Sequence, residues 1–169
     1  ASQVVLAVQA AARREAGHGT VGTVGVLTAH PGAINVIPGR VEMMVDIRGI
    51  DGLSIGRAVA EVRAEAARIS EENRTPVTVE TLTADPPVPM DPAVIGTIES
   101  VCRRLEIRCR RMPSGAGHDT MNMARIAPAG MIFIPCRGGI SHNPDEYASM
   151  EDVMTGIDVL TESLYELSR

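Results

Sequence analysis

Two glycine-rich segments each deliver one histidine, and these are the residues best placed to do chemistry. The first is Pro113-Ser114-Gly115-Ala116-Gly117-His118-Asp119 and the second is Gly138-Gly139-Ile140-Ser141-His142-Asn143-Pro144-Asp145-Glu146. Three small residues ending in Gly117 let backbone approach a bound group closely, with His118 presented beside it. A neutral imidazole at His142 is a ligand for a borderline metal such as zinc or manganese, its other nitrogen held by a carboxylate or carbonyl. Each histidine also has an ordinary explanation: His118 caps the helix that follows, and His142 is an exposed loop histidine. The functional reading gains weight because each loop follows an expected strand, so both should open on one sheet edge, where α/β proteins bind ligands. A phosphate-cradling loop does not fit, because the lysine of that motif is missing and the chain has no lysine at all.

Asn35 and Arg48 form a second candidate set, thirteen positions apart across an expected strand pair. A guanidinium fork matches a carboxylate with two parallel charge-assisted hydrogen bonds, and an asparagine amide both donates to and accepts from a ureido or amide group. Together they suit an N-acylated amino acid. Without a ligand in view, the same residues read as a surface ion pair of Arg48 with Asp46 and a turn-forming Asn35. His18 and His30, beside glycine and proline, read as loop histidines.

The elements that must position these groups follow from periodicity. Val4, Val5, Ala7, Val8, Ala11 and Ala12 recur at helical spacing, which predicts a helix over residues 1–16. Two β-rich runs, 21–28 and 40–48, are separated by Pro31-Gly32 and Pro38-Gly39 and should pair antiparallel. A helix is expected over 54–73 and a half-buried strand over 77–83. That order is a split βαββαβ unit without its first strand. The prolines of Asp85-Pro86-Pro87-Val88-Pro89 end regular structure, so residues 1–85 form one domain and 86–169 another. In the second, helices are expected near 92–105, 121–125 and 151–167, with strands at 107–111 and 131–135, an alternation that implies an α/β layer.

Composition narrows the function classes. Across 169 residues, 44% are hydrophobic, enough for a core, whereas only 2% are aromatic. Phe133, Tyr147 and Tyr165 cannot build base-stacking platforms or a membrane-interface belt. Sixteen arginines are outweighed by 21 acidic residues, and the net charge of -5 argues against nucleic acid as a partner. No apolar run reaches the ~20 residues that span a bilayer, so no membrane partner is expected either. Cys102, Cys109 and Cys136 are odd in number and lack CxxC spacing, which fits a reducing cytoplasm. A first residue other than methionine, already inside a helix, suggests a fragment of a longer chain.

Three stretches, PSGAGHDTMNMA, IFIPCRGGISHNPDE and PGAINVIPGRVEMMVDIRG, together resemble the amidase, hydantoinase/carbamoylase family of dinuclear metallohydrolases. The resemblance covers essentially the whole chain. It implies an α/β protein: a ferredoxin-like α+β lid or dimerisation domain, lacking its first strand, and the carboxyl-terminal α/β part of a zinc-aminopeptidase-like catalytic domain. It implies hydrolysis of the carbamoyl C–N bond of N-carbamoyl-L-amino acids, with allantoate as the alternative substrate, by an enzyme holding two zinc or manganese ions. His142 corresponds to a ligand of one metal. His118 corresponds to the residue that contacts substrate and stabilises the oxyanion, with Gly117 beside it, and Asn35 and Arg48 correspond to the lid residues that hold substrate, Arg48 taking its carboxylate. A homodimer through the lid is implied as well. The other metal ligands and the general-base glutamate belong, in the family, to an amino-terminal half that this sequence does not contain, so the isolated chain is expected to be inactive. The remaining alternative is a non-catalytic dimerisation or binding module.

Overall fold

The computed structural model describes residues 1–169, which divide into two compact units, Ala1–Pro87 and Val88–Arg169. Both mix helix with extended or sheet structure, so the chain is a mixed α/β protein.

The first unit runs α1 (Ser2–Arg14), β1 (Val21–His30), β2 (Arg40–Arg48) and α2 (Gly52–Asn73). Val4, Val8 and Ala11 make the buried stripe of α1, and Ser54, Ala58, Val62, Ala66 and Ile69 make that of α2. Small residues at the contact let the helix axes approach. Val8, Ala11, Ala58 and Val62 form the core, with Val24 and Ile47 of the sheet packed against them. Each fully buried valine contributes about 1.5–3 kcal/mol. The strands pair antiparallel from Val21 opposite Arg48 to His30 opposite Arg40, with a bulge between Val24 and Val26. Asp51 starts α2 by accepting from the Leu53 N–H at 2.8 Å.

A polar joint secures the ends of α1 and α2. Arg57 grips Glu15 with two hydrogen bonds of 2.8 and 2.6 Å. The buried Ser54 hydroxyl reaches Glu15 at 2.9 Å and Thr20 at 2.6 Å. Arg57 and then Ser54 hold the Glu15 carboxyl at about 2, well below its usual range.

Residues 77–83 do not form the expected strand; they join no ladder, and β1 and β2 pair only with each other. Alternation specifies which face a strand buries but supplies no neighbour for its hydrogen bonds. Arg63 of α2 holds the segment instead, donating to the Val79 carbonyl at 3.2 Å and the Thr81 hydroxyl at 2.6 Å.

The second unit consists of α3 (Pro92–Arg104), the short α4 (Thr120–Met123), α5 (Met150–Leu167) and long irregular connections. Asp91 caps α3 by accepting from Ala93 and Val94, and Pro92 occupies the first helical position. A Schellman turn ends it: Glu106 has φ 56°, its N–H reaches the Arg103 carbonyl, and the Ile107 N–H reaches the Cys102 carbonyl at 2.9 Å. Val101 and Cys102 of α3 meet Val159 of α5, with Ile98, Ile107 and Ile132 packed around them. Arg104 donates to Glu162 at 2.9 Å across the same pair of helices. Burial pushes the Cys102 thiol up to about 11.

The strands expected at 107–111 and 131–135 are absent, and with them the sheet edge that was to carry both histidine loops. No backbone hydrogen bond joins the two segments. The run Met131-Ile132-Phe133-Ile134 favours extended structure, but a ladder also needs a neighbour at the right spacing, and the arginine-rich residues 107–111 carry little β preference of their own. What remains is an open apolar groove of about 560 Å³ between α3, α5 and residues 128–134, with Ile98, Ile132, Leu160 and Leu164 among its walls.

Candidate active site

His118 sits half-buried at the end of the first glycine loop. Its Nε2 lies 2.8 Å from the Ser114 hydroxyl, and its ring meets Phe133 edge to face with centroids 5.6 Å apart. The backbone carbonyl of His118 accepts from Met121 at 2.9 Å as α4 begins. No side chain caps α4, so the capping role considered for His118 is not the one it plays: its imidazole turns back into its own loop. A Cβ at Gly117 would meet only Met121 Sδ at 3.7 Å, an ordinary contact, so protein packing does not demand glycine there. Just before the loop, Arg111 grips Glu99 with two 2.7 Å bonds, which fixes the chain against α3 and holds the Glu99 carboxyl below its usual range.

His142 stands on a second, internally braced loop. The Arg137 N–H donates to the Tyr147 carbonyl at 2.8 Å, and the Arg137 guanidinium lies 4.9 Å from the Tyr147 ring centroid, so residues 137 and 147 close the loop's base. Gly138 and Gly139 take φ of 66° and 68°, which side-chain-bearing residues resist. His142 also has φ 56°, a left-handed conformation uncommon outside glycine and costing about 1 kcal/mol or more. Its backbone N–H is secured by Glu146 Oε2 at 2.9 Å, and Asn143 braces Asp145 and Glu146. Strain kept in place by surrounding bonds is a mark of functional loops. The imidazole itself is exposed.

The two loops are linked through Phe133, which touches His118 and lies four residues before Arg137. That link replaces the common sheet edge. No three His, Cys, Asp or Glu side chains come together in a way that could hold a metal ion. The donors in this chain therefore do not fit a dinuclear centre by themselves.

In the first unit the geometry separates the two substrate candidates. Arg48 closes β2 opposite Val21, whereas Asn35 lies in the 31–39 connection beyond the His30–Arg40 pair. Eight residues of strand span about 26 Å, longer than an N-acylated amino acid. The structure does not bring Asn35 and Arg48 together. Arg48 Nε is 3.4 Å from Asp46 Oδ2, with both side chains 58% exposed, an ion pair worth about 0.5 kcal/mol. Asn35 is exposed in a turn closed by the Val36 N–H on the Ala33 carbonyl at 3.3 Å.

Sequence reasoning missed Ser114, Phe133 and Glu146 as supports of the two histidines. A hydroxyl four residues before His118 was a usable signal. The Phe133 contact is tertiary and left none.

The model for peptidase family M20/M25/M40 matches residues 2–166. Ureidoglycolate hydrolase of Oryza sativa subsp. japonica is 41% identical over 170 residues, covering 99% of this chain and 35% of the rice protein. N-carbamoyl-L-amino-acid amidohydrolase of Pseudomonas sp. (strain NS671) is 36% identical over 164 residues, covering 97% of this chain and 40% of its own length. The crystal structure of an amidase of the hydantoinase/carbamoylase family from Burkholderia multivorans superimposes with a TM-score of 0.88 at 36% identity, over 96% of this chain and 39% of that one. The chain thus spans roughly two fifths or less of the proteins it resembles. With a family match running almost end to end and solved amidases sharing its fold, the chain belongs to peptidase family M20/M25/M40.

Proposed function

We propose that this chain supplies the lid and the carboxyl-terminal catalytic part of an amidohydrolase that cleaves the carbamoyl C–N bond of small ureido acids, N-carbamoyl-L-amino acids first among them. The observation that carries the reading is the near-complete match to family M20/M25/M40 by a chain whose two loop histidines are both kept out of the core. In this reading the Ala1–Pro87 unit is a ferredoxin-like lid without its first strand, and the order α1-β1-β2-α2 supports it. Val88–Arg169 is the catalytic part.

Arg48 takes the substrate carboxylate, exchanging a weak solvated contact with Asp46 for a two-bond fork. Asn35 meets the ureido group, and His118 with Gly117 faces the scissile carbonyl. The length of the β1–β2 hairpin supports a homodimer: one copy cannot bring both Asn35 and Arg48 to a single small substrate, so a site using both takes one from each copy. His142 is one ligand of a divalent metal pair whose other ligands lie outside this chain. A bound metal pair supplies a polarised carbonyl and an activated water.

Ureidoglycolate is the second reading, favoured by the 41% identity to the rice hydrolase. Hydrolysis of N-carbamoyl-L-amino acids and of ureidoglycolate by the complete enzyme, side by side, decides between them. A higher kcat/KM on the carbamoyl amino acid supports the first reading. A higher value on ureidoglycolate replaces it with the second.

A further inference from the structure

We propose that Ser114 is the positioning residue for His118, holding its imidazole as the Nε2–H tautomer and leaving Nδ1 as the nitrogen offered to a bound molecule. Three contacts meet at the Ser114 hydroxyl. Its Oγ lies 2.8 Å from His118 Nε2, 3.1 Å from the Ala116 amide nitrogen and 3.0 Å from the Ala116 carbonyl oxygen.

A serine hydroxyl has one hydrogen to donate and two lone pairs that accept. The Ala116 N–H can only donate, so it uses one lone pair. The Ala116 carbonyl can only accept, and no other backbone N–H reaches it, so it takes the single hydroxyl hydrogen. One lone pair is left for His118, and it is satisfied only if Nε2 carries a hydrogen. Were the hydroxyl to donate to Nε2 instead, the Ala116 carbonyl would lose its partner. Phe133, edge to face at 5.6 Å, restricts turning of the ring.

The consequence changes what His118 offers. A neutral imidazole pinned through Nε2–H presents a lone pair at Nδ1, which accepts from an N–H donor. A ureido group carries such N–H donors beside its carbonyl. Donation from Nδ1 to an oxyanion then belongs only to the doubly protonated ring. The identity of the ureido ligand rests on the function proposed above; the tautomer does not.

The test is long-range proton–nitrogen NMR on the chain labelled with ¹⁵N-histidine, at mildly alkaline pH where imidazoles are neutral. The His118 signal is assigned by its loss in His118→Gln. The expected result is the Nε2–H pattern in the unaltered chain, a mixture of tautomers in Ser114→Ala, and return of the Nε2–H pattern in Ser114→Thr. Unmoved signals from His18, His30 and His142 show that the variants keep their fold. An Nδ1–H pattern in the unaltered chain, or an unchanged pattern in Ser114→Ala, overturns the proposal. In the complete enzyme, Ser114→Ala should lower kcat on a ureido acid about tenfold, with rescue by threonine. Failure of the ureido reading would abolish that kinetic effect and leave the NMR result in place.

Discussion

Arg48 is the residue whose chemistry discriminates best, because its one partner, Asp46, is solvated and weak. A carboxylate fork lost to lysine removes one of two charge-assisted bonds. In the complete enzyme, Arg48→Lys should raise KM for a ureido acid about tenfold, roughly 1.4 kcal/mol of binding, with kcat nearly unchanged. An unaltered KM removes the carboxylate role. Glu15 tests the polar joint between α1 and α2. Its carboxyl is held at about 2 against a usual 4.5, so the ionised form is favoured in the folded state. The stabilisation is complete above about 4.5 and is lost as pH falls toward 2. Urea melts should show stability falling over that window, and Glu15→Gln should flatten the fall while lowering stability at neutral pH. His118 and His142 were legible in the sequence as loop histidines between small residues. What each touches was not: Phe133 on His118 is made by tertiary packing, and the φ of 56° at His142 is imposed by Glu146 and Asn143 closing the loop.

The helices were the readable elements. Val4, Val8 and Ala11 fall where 3.6-residue spacing puts them, because a helix satisfies its own backbone and needs only one face covered. In α2 the spacing of Ile55, Val59, Val62, Ala66 and Ile69 marks the helix, but its first two turns bury Ser54 and Ala58 and leave Ile55 and Val59 half-buried. The β1–β2 pair was readable too, since the intervening Pro-Gly turns bring two β-rich runs together. Residues 77–83 and 131–135 have β-favouring composition yet form no ladder, and the arginine-rich 107–111 forms none either. A strand's stability lies in its neighbour, which its own residues do not specify. Gly49 shows how tightly the element ends are set: a Cβ there would lie 2.8 Å from Thr20 Oγ1, 3.0 Å from Thr20 Cα and 3.1 Å from the Gly19 carbonyl. Two of those atoms are backbone and cannot swing aside. Gly49→Ala should destabilise the first unit by about 1–3 kcal/mol in a urea melt; an unchanged midpoint would show that the β2–α2 junction yields freely.

At the scale of the molecule, neither of the two compact units holds a full metal centre. Zinc or manganese titrated into the isolated chain, followed by calorimetry, should show no tight two-site binding, because a lone imidazole at His142 offers one donor where structural and catalytic zinc sites take three or four. Two tight sites per chain would contradict this and mean that other side chains of the chain assemble as ligands. The open apolar groove beside α5 is a further feature of the second unit, with Leu160 and Leu164 half-exposed in its wall. The most direct measurement is the specificity of the complete enzyme for the bond it breaks, read as product release from an N-carbamoyl-L-amino acid, the matching N-acetyl amino acid and a dipeptide at equal concentration. Turnover of the carbamoyl compound, with ammonia released and the other two at least a hundredfold slower, is the expected result; preference for the acetyl compound or the dipeptide would contradict it.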